Sequence, residues 1–364
     1  MNNKEIVLSA IQHESVDALP FDVFEGWMWP DISKRLMDRF SARDYNDLLD
    51  QLGVYCRWVT TKYIGPPLPP GAKDRVASPH TTHSLNASIW GLTPGLKMHG
   101  VGTEGHPLAR AQSVSDVLDH SWPSPYWFDY EGASQSAIGY GDHFVILGGF
   151  SPIFYLIADL CGMEKTLMDI VLNPELIQAL VDRIVEFYAE YFSRIALTCQ
   201  GNVDAIAFGD DFSGQLNMLL SPGHWRKFFK PAWSKLFSIV KGYGYKVMFH
   251  SCGSVYPVIP DLIEIGLDVL YPVQPLARSM EISLLRKEFG SSLAFYGAID
   301  VQEFLPFSNR AEIEKEVIRV AKIFGKSGGY ILSTSHVIMD DVPEENVLTL
   351  YDTAKDVTNL ALNP

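Results

Sequence analysis

The second half of this 364-residue chain repeats one structural unit, and this repeat constrains the fold more than any other feature. Each unit contains a short apolar strand, a loop with polar residues and an amphipathic helix that ends near a glycine. Because sustained strand–helix alternation is typical of parallel sheets, the pattern predicts an α/β fold. The predicted strands are Phe144–Leu147, Ala205–Phe208, Lys246–Phe249, Val269–Tyr271, Ala294–Tyr296 and Tyr330–Leu332.

The helices between these strands are predicted from apolar periodicity and from their end signals. In Pro174–Thr198 the apolar residues recur at i, i+3 and i+4, which indicates one buried stripe. Asn173 precedes this helix as a candidate cap, proline suits its first position, and Gly201 follows its end. Further helices are predicted at Pro222–Lys241, Tyr256–Ile265, Glu281–Phe289 and Arg310–Phe324.

The length of the chain favours a closed (β/α)8 TIM barrel over an open doubly wound sheet. The sequence has no Gly-x-Gly-x-x-Gly after a strand and no Gly-x-x-x-x-Gly-Lys-Ser/Thr, so the dinucleotide-binding and P-loop motifs are absent. We therefore expect a single barrel domain over residues 1–364.

The first 140 residues are less regular than the rest. Leu19–Glu25 is predicted as a first strand, Ser33–Gly53 as helical, and Gly65–Gly71, which contains four prolines, as an irregular loop. His80 and His83 are candidate metal ligands, but a loop rich in Ser, Thr and Pro more often leaves such histidines solvated. We expect this region to form irregular excursions over the barrel mouth.

The composition excludes several classes of function. A formal charge of −14 would repel nucleic acid and anionic membranes. The start of the chain lacks a targeting pattern and no stretch of about 18 apolar residues occurs, so a cytoplasmic, non-membrane protein is expected. Four scattered cysteines do not form a disulfide framework, and Cys161 and Cys199 are predicted to lie in the core.

Polar residues gather where the predicted strands end. The carboxyl ends of the strands of a barrel share one rim, on which the catalytic loops of such enzymes lie. We therefore expect residues that are distant in sequence to converge on one pocket there. These residues are Asp210, Asp211, His250, Cys252, Gln274, Asp300, Ser335 and His336.

Zinc chemistry is one interpretation of this rim. His250, Cys252 and His336, with one of Asp210 or Asp211, offer the nitrogen, sulfur and oxygen ligands that zinc accepts. In the alternative interpretation Cys252 is a small core residue, His250 donates a hydrogen bond at a strand end, and His336 contacts the substrate. The sequence pattern leaves both open.

The adjacent acids and the aromatic residues suggest further roles. Asp210 or Asp211 can act as a general acid or base. Successive side chains of an extended strand point to opposite sides, so we expect one acid to face the pocket and the other to be structural. Trp27, with other aromatic residues of the first 130, can line an aromatic substrate pocket, although packing is the commoner use.

Seven stretches, most of them at or near the predicted strand ends, stand out in order along the chain: Gly209–Phe212, Phe249–Val255, Ile259–Ile263, Tyr271–Pro275, Tyr296–Asp300, Gly328–Leu332 with Ser335 and His336, and Val342–Val347. Together they resemble the uroporphyrinogen decarboxylase-like superfamily, most strongly from about residue 140 to 355. The resemblance implies a (β/α)8 barrel, often dimeric, and either of two chemistries: cofactor-free decarboxylation of porphyrinogens, or zinc-dependent methyl transfer to or from a corrinoid.

Two comparisons within the superfamily favour methyl transfer, and one remains open. Decarboxylases carry an arginine-rich motif where this chain has Phe21–Trp29, which contains no arginine and two acids. His250 and Cys252 match the His-x-Cys pair of the methyltransferases. His336, however, stands where methyltransferases of the coenzyme M type carry a second cysteine and where decarboxylases carry a histidine.

The resemblance therefore implies a methyltransferase that moves a methyl group between a small substrate, or a thiol or folate-type carrier, and a corrinoid protein. The corrinoid is expected on a separate chain, because no Asp-x-His-x-x-Gly motif occurs in the sequence; a homodimer is possible. The roles expected on this basis are zinc binding by His250, Cys252 and His336, catalysis by Asp211 and Tyr296, and substrate contacts from Asp210, Gln274, Tyr296 and Trp27. The alternatives are a cofactor-free decarboxylase of a porphyrinogen or smaller aromatic acid, and a non-catalytic ligand-binding barrel.

Overall fold

The structure, a computed structural model, describes residues 1–68, 87–92, 105–324 and 327–360. His80, His83 and the end of the proline-rich loop, residues 69–71, lie outside the described part of the chain.

A sheet of seven parallel strands organises the described residues. The strands of the described residues are β1 Cys56–Val59, β2 Lys62–Tyr63, β3 Phe128–Asp129, β4 Phe144–Gly148, β5 Ala205–Gly209, β6 Lys246–His250, β7 Val269–Val273, β8 Ala294–Ile299 and β9 Tyr330–Thr334. The order in the sheet is β1-β4-β5-β6-β7-β8-β9, so the strands of this sheet that are consecutive in the chain are neighbours in it. Strands β2 and β3 form a separate antiparallel pair.

The two edges of this sheet meet at a short N-terminal segment. The Asp22 amide donates to the Leu332 carbonyl of β9, and the Tyr55 amide, just before β1, donates to the Phe21 carbonyl. The sheet is therefore curved and TIM-barrel-like. The prediction of a full strand over Leu19–Glu25 is wrong, because only Phe21 forms a β-bridge and the chain turns into a 3-10 helix at Phe24–Gly26.

Helices surround the sheet. In the part of the chain that the structure describes, short 3-10 helices lie at Phe24–Gly26, Ala87–Trp90, Pro125–Trp127 and Tyr256–Val258. The α-helices are α1 Asn3–Ile11, α2 Pro30–Phe40, α3 Tyr45–Leu52, α4 Val114–Leu118, α5 Tyr130–Ile138, α6 Phe154–Cys161, α7 Met163–Leu172, α8 Pro174–Thr198, α9 Pro222–Lys241, α10 Ile259–Glu264, α11 Ile282–Phe289, α12 Phe304–Phe307, α13 Arg310–Phe324 and α14 Glu344–Leu360.

All six predicted strands begin at the predicted residue, but each runs one to three residues further. The parallel pairing continues to the rim, where Gly209 pairs with His250 and Ile299 with Thr334, and this pairing extends the strands. The predicted helix over residues 33–53 is two helices, because Ser41 adopts a left-handed conformation at the end of α2. Strand β1 was not predicted.

The core lies in two layers. One layer packs the helices against the outside of the sheet, and the other fills the space that the curved sheet encloses. Alternate residues of the strands point into that interior, among them Trp58, Tyr271 and Tyr296. Cys161 and Cys199 are buried in the outer layer, which confirms the prediction for both. Within the described segments no helix combines the length and the apolar character needed to cross a membrane.

Candidate active site

Three residues with metal-binding side chains come together at the carboxyl ends of the strands. His250 is the last residue of β6, Cys252 lies in the loop that follows, and His336 lies in the loop after β9. Their ligand atoms all lie within 4.8 Å of one another. The Cys252 Sγ lies 3.5 Å from the His250 Nε2. The predicted triad thus joins a neighbouring pair, His250 and Cys252, to a residue more than 80 positions further along the chain.

A cavity of about 320 Å³ opens beside the triad. Cys252 and His336 form part of its wall, and the remaining lining comes from the loops after β5, β7, β8 and β9. Among the described residues that line it, none is Lys or Arg. The other lining residues are Gln215, Gln274, Leu276, Asp300, Val301, Gln302 and Ser335.

His250 is buried and held on both ring nitrogens. Its Nδ1 lies 3.2 Å from the Glu25 Oε1, and its Nε2 faces Cys252 and lies 3.7 Å from the Asp211 Oδ1. Burial lowers the pKa of His250, but the negative groups of Cys252, Glu25 and Asp211 raise it well above its usual value. Burial and the Asp211 charge raise the pKa of the Cys252 thiol, while His250 opposes them. A metal that binds here would therefore displace protons.

The two adjacent acids have different positions. The Asp211 Oδ1 accepts a 2.8 Å hydrogen bond from the Cys252 amide, so this carboxylate lies beside the triad. Asp210 is fully buried, and its two carboxylate oxygens accept the amides of Phe154 and Tyr155 at the start of α6. Burial raises the pKa of Asp210 to about 7. Contrary to the expectation of a substrate contact, the structure does not place Asp210 at the cavity.

Tyr296 also differs from its expected place. The side chain is fully buried in the interior of the curved sheet, not in the cavity wall. Its hydroxyl lies 3.1 Å from the Asp22 Oδ2 and 3.2 Å from the Val23 carbonyl, and it accepts the Glu25 amide at 3.3 Å. The structure thus gives Tyr296 a position from which it holds the segment around Asp22, and does not support the predicted catalytic and substrate contacts.

Gln274 and Trp27, both predicted substrate contacts, have different surroundings. The Gln274 Oε1 accepts the Gly253 amide at 2.8 Å and the Gln215 Nε2 at 3.0 Å, and the residue lines the cavity. Trp27 is buried in the interior layer and does not belong to the cavity wall. Its indole nitrogen is buried with no hydrogen-bond partner among the described residues. Gln274 therefore lies where a substrate contact requires, and Trp27 does not.

The sequence prediction missed Glu25. This acid is 4% exposed and lies against the Nδ1 edge of the His250 ring, on the side away from Cys252. A signal was present, because two acids interrupt the otherwise apolar stretch Phe21–Trp29. Buried acids are rare without a partner, so an acid in an apolar segment indicates a specific contact. The sequence alone does not show that this contact is His250.

The donor set of the triad fits zinc. Two imidazoles and one thiolate are ligands that zinc accepts, and catalytic zinc sites commonly hold three protein ligands and leave one position for water or substrate. Glu25 on Nδ1 directs the other nitrogen of His250, Nε2, toward Cys252. The cavity beside Cys252 and His336 supplies room for a fourth, exogenous ligand.

The fold and the site thus define a TIM-barrel-like α/β protein with a candidate metal centre at the carboxyl ends of its strands. Residues 134–357 match the family model described as Uroporphyrinogen decarboxylase (URO-D). The match covers more than half of the chain, which therefore belongs to the URO-D family.

Several curated proteins similar to this chain are named uroporphyrinogen decarboxylases, whereas a similar solved structure is named a methyltransferase. Uroporphyrinogen decarboxylase of Thermus thermophilus is 27% identical over 189 residues, which are 50% of this chain and 50% of that protein. The protein of the same name from Prochlorococcus marinus is 26% identical over 190 residues, 51% of this chain and 50% of that protein. The chain thus spans about half the length of these curated relatives.

A solved structure is similar over nearly the whole chain. It is a methyltransferase from Methanosarcina mazei, with a TM-score of 0.62 and 19% identity, and the match covers 98% of this chain and 99% of that one. At this identity the similarity supports the fold.

Proposed function

We propose that this protein is a zinc-dependent methyltransferase that moves a methyl group between a small molecule, such as a thiol or folate-type carrier, and a corrinoid held by a separate protein. The observation that carries the proposal is the convergence of His250, Cys252 and His336 beside a cavity. The closed (β/α)8 form of the barrel, in which the segment at Phe21 takes the eighth strand position, belongs to the same proposal.

In this proposal the triad holds zinc, and the neighbouring residues organise the site. When bound, zinc would lower the pKa of a substrate thiol or hydroxyl and so make it nucleophilic at neutral pH. Asp211 holds the Cys252 loop through the Cys252 amide, and in this proposal its carboxylate, 3.7 Å from the His250 Nε2, serves as the acid or base that exchanges a proton with the substrate. Gln274 fixes the Gly253 amide and presents its side chain to the substrate cavity.

The surroundings of the cavity support a protein partner. Large apolar side chains are exposed on the loops after β5 and β7, with Leu216, next to Gln215 of the cavity wall, at 72% and Leu276, in the wall itself, at 54% exposure. Exposed apolar groups around a functional pocket commonly mark a protein-docking surface. A corrinoid carrier that delivers its cofactor to the cavity would cover these residues.

Decarboxylation is the second candidate, and the names of the curated relatives favour it. In that function Asp211 would stabilise a protonated intermediate and His336 would bind the substrate. A porphyrinogen with eight carboxylates calls for cationic side chains, but the described part of the cavity wall contains neither Lys nor Arg. The site therefore fits a small, weakly charged substrate better.

The first experiment measures metal content in protein purified without a histidine tag or chelator. We expect about one zinc per chain, lost in His250→Ala and in His336→Ala and retained in Asp261→Asn. Asp261 is a matched control because it is a buried acid paired with Arg226 and Lys230 on α9.

The second experiment separates the two candidate functions. Zinc-loaded protein is mixed with methylcobalamin and a panel of thiols, and demethylation is followed by absorbance. The contrary outcome is a native protein that contains no metal and releases carbon dioxide from an aromatic acid or a porphyrinogen, so that His250→Ala has no metal to remove. This outcome would contradict methyl transfer and support decarboxylation.

A further inference from the structure

Glu25 combines two unusual properties. It is a carboxylate with 4% exposure, and its backbone is left-handed, with φ 47° and ψ 25°. Residues other than glycine rarely adopt this conformation, and it persists where the surrounding structure holds it. Such strain at a buried charged residue indicates that the position of its side chain matters.

The strained backbone is held by the interior layer. The Glu25 amide donates to the Tyr296 hydroxyl, which also contacts Asp22 and the Val23 carbonyl. The Asp22 carboxylate accepts the Trp58 indole at 2.9 Å, so strand β1 is tied to the same network. Strands β1 and β8 thereby fix the turn that carries Glu25.

The carboxylate that this turn presents contacts the ring of His250. The Glu25 Oε1 lies 3.2 Å from the His250 Nδ1, on the opposite side of the ring from Nε2, which faces the Cys252 Sγ at 3.5 Å. The ring is also packed between Phe24, Phe150 and Tyr271, with ring centroids 5.3 to 5.8 Å away. His250 can therefore present only Nε2 to the other members of the triad.

A neutral imidazole carries one proton, and its position decides which nitrogen can bind a metal. A carboxylate that accepts from Nδ1 keeps the proton there, leaves the Nε2 lone pair available and increases its basicity. We propose that Glu25 is a positioning residue that fixes the tautomer and the orientation of His250 for metal binding. The N-terminal segment Asp22–Gly26 is then a functional part of the site. This inference rests on the proposed metal-dependent function.

The test is a zinc-affinity series measured by competition with a chromophoric chelator. The variants are Glu25→Ala, Glu25→Gln and the buried-acid control Asp261→Asn. Glu25→Ala should weaken zinc binding by about 10- to 100-fold, as expected for loss of such a partner of a ligating histidine. Glu25→Gln should lose less, because its amide oxygen can still accept from Nδ1, and Asp261→Asn should bind like the wild type.

A second readout reports on the histidine directly. In the metal-free protein, at a pH high enough to leave His250 neutral, nitrogen NMR of labelled histidines, with His250 assigned through His250→Ala, should show the Nδ1-H tautomer in the wild type and in Glu25→Gln. In Glu25→Ala the tautomer should shift or become mixed while near-UV circular dichroism shows a folded protein. A purely structural role for Glu25 would not change the tautomer in a folded variant.

The outcomes separate this inference from the function it rests on. If a folded Glu25→Ala variant binds zinc with the same affinity as the wild type, the role of Glu25 is overturned and the metal site stands. Wild-type protein that binds no zinc overturns both. If Glu25→Ala does not fold, unchanged affinity and tautomer in Glu25→Asp, whose shorter side chain cannot reach Nδ1 in the same way, would overturn the inference.

Discussion

The cavity wall and the layer behind it use the same types of residue for different purposes. In the cavity wall, Cys252, Gln274 and His336 present polar atoms to open space. In the inner layer, defined here as Asp22, Glu25, Asp210 and Tyr296, the side chains are buried and hydrogen-bonded to the protein. Residues of similar chemistry thus face open space in one region and hold the architecture in the other.

The difference shows that polarity at a strand end does not by itself identify a catalytic residue. A buried carboxylate without partners is costly, so the inner layer must satisfy its acids with amides, hydroxyls and an imidazole. These contacts determine where the wall residues stand. We expect substitutions of Asp22, Asp210 and Tyr296 to change mainly stability, and substitutions of Glu25 or of the wall residues to change mainly ligand binding.

The largest loss of stability is expected for Asp210→Ala. Removal of this carboxylate leaves the buried amides of Phe154 and Tyr155 without a hydrogen-bond acceptor. The cost is roughly 2 kcal/mol for each amide, or about 4 kcal/mol in the free energy of unfolding. Urea denaturation measures it, with Asp211→Ala as the matched control. Equal losses in the two variants would erase the distinction between the acid beside the triad and the buried acid of the inner layer.

Asp22→Asn should stabilise the protein at neutral pH. Burial raises the pKa of Asp22 to about 7, so the folded protein keeps this proton over a pH range in which the unfolded chain releases it. The stability present below pH 4 is therefore lost as the pH rises to about 7, by at most about 4 kcal/mol. The variant lacks this loss, and its advantage should grow from pH 4 to pH 8 in urea unfolding.

The control for this pH dependence is Asp261→Asn. Burial raises the pKa of Asp261, but Arg226 and Lys230 outweigh it and the pKa lies below its usual value. The Asp261 carboxylate thus contributes stability above the unfolded pKa, and this variant should lose stability at neutral pH. Parallel pH profiles for wild type and Asp22→Asn would contradict the assignment of Asp22.

Tyr296→Phe should have an intermediate effect. The variant loses hydroxyl contacts to Asp22 and the Glu25 amide, which is worth about 1 to 2 kcal/mol of unfolding free energy. Turnover should fall only through a less well-held Glu25. A loss of 100-fold or more in kcat at unchanged stability would instead return Tyr296 to the catalytic role that the sequence predicted.

The smallest effect on stability, and the largest on ligand binding, is expected for Cys252→Ser. Cys252 is only partly buried, whereas the other three cysteines are fully buried. The variant should lose less than about 1 kcal/mol of stability, yet bind zinc poorly. In the wild type, iodoacetamide should label one thiol in metal-free protein, and zinc should protect it. Labelling at equal rates with and without zinc would place the metal elsewhere.

The framework could be predicted from local patterns. The six strands of the second half begin where apolar runs begin, and helices such as Pro174–Thr198 follow from periodicity and end signals. Even there, the role of Asn173 was only half predicted: it precedes α8, but its side-chain amide donates to the Gln112 carbonyl and makes no cap. Strand β1 was missed because its four residues, Cys56–Val59, follow no repeat.

Part of the candidate site could be predicted, because some of its residues follow a local pattern in the sequence. Polar residues at strand ends identify the rim, so His250, Cys252 and His336 could be grouped from sequence alone, and the structure brings them together. The orientations of Asp210 and Tyr296 could not be predicted, because a polar residue at a strand end can face either the cavity or the packed layer behind it.

By itself, then, the sequence determined the strand–helix repeat, the composition of the rim and the likeness to a family, since each depends on residues close together in the chain. Only the tertiary structure decided which polar groups are hydrogen-bonded within the fold and which face the cavity. The pairing of Glu25 with His250, separated by 225 positions, shows why. Curvature of the sheet brings its edges to one N-terminal segment, and no local pattern encodes which buried atoms then meet.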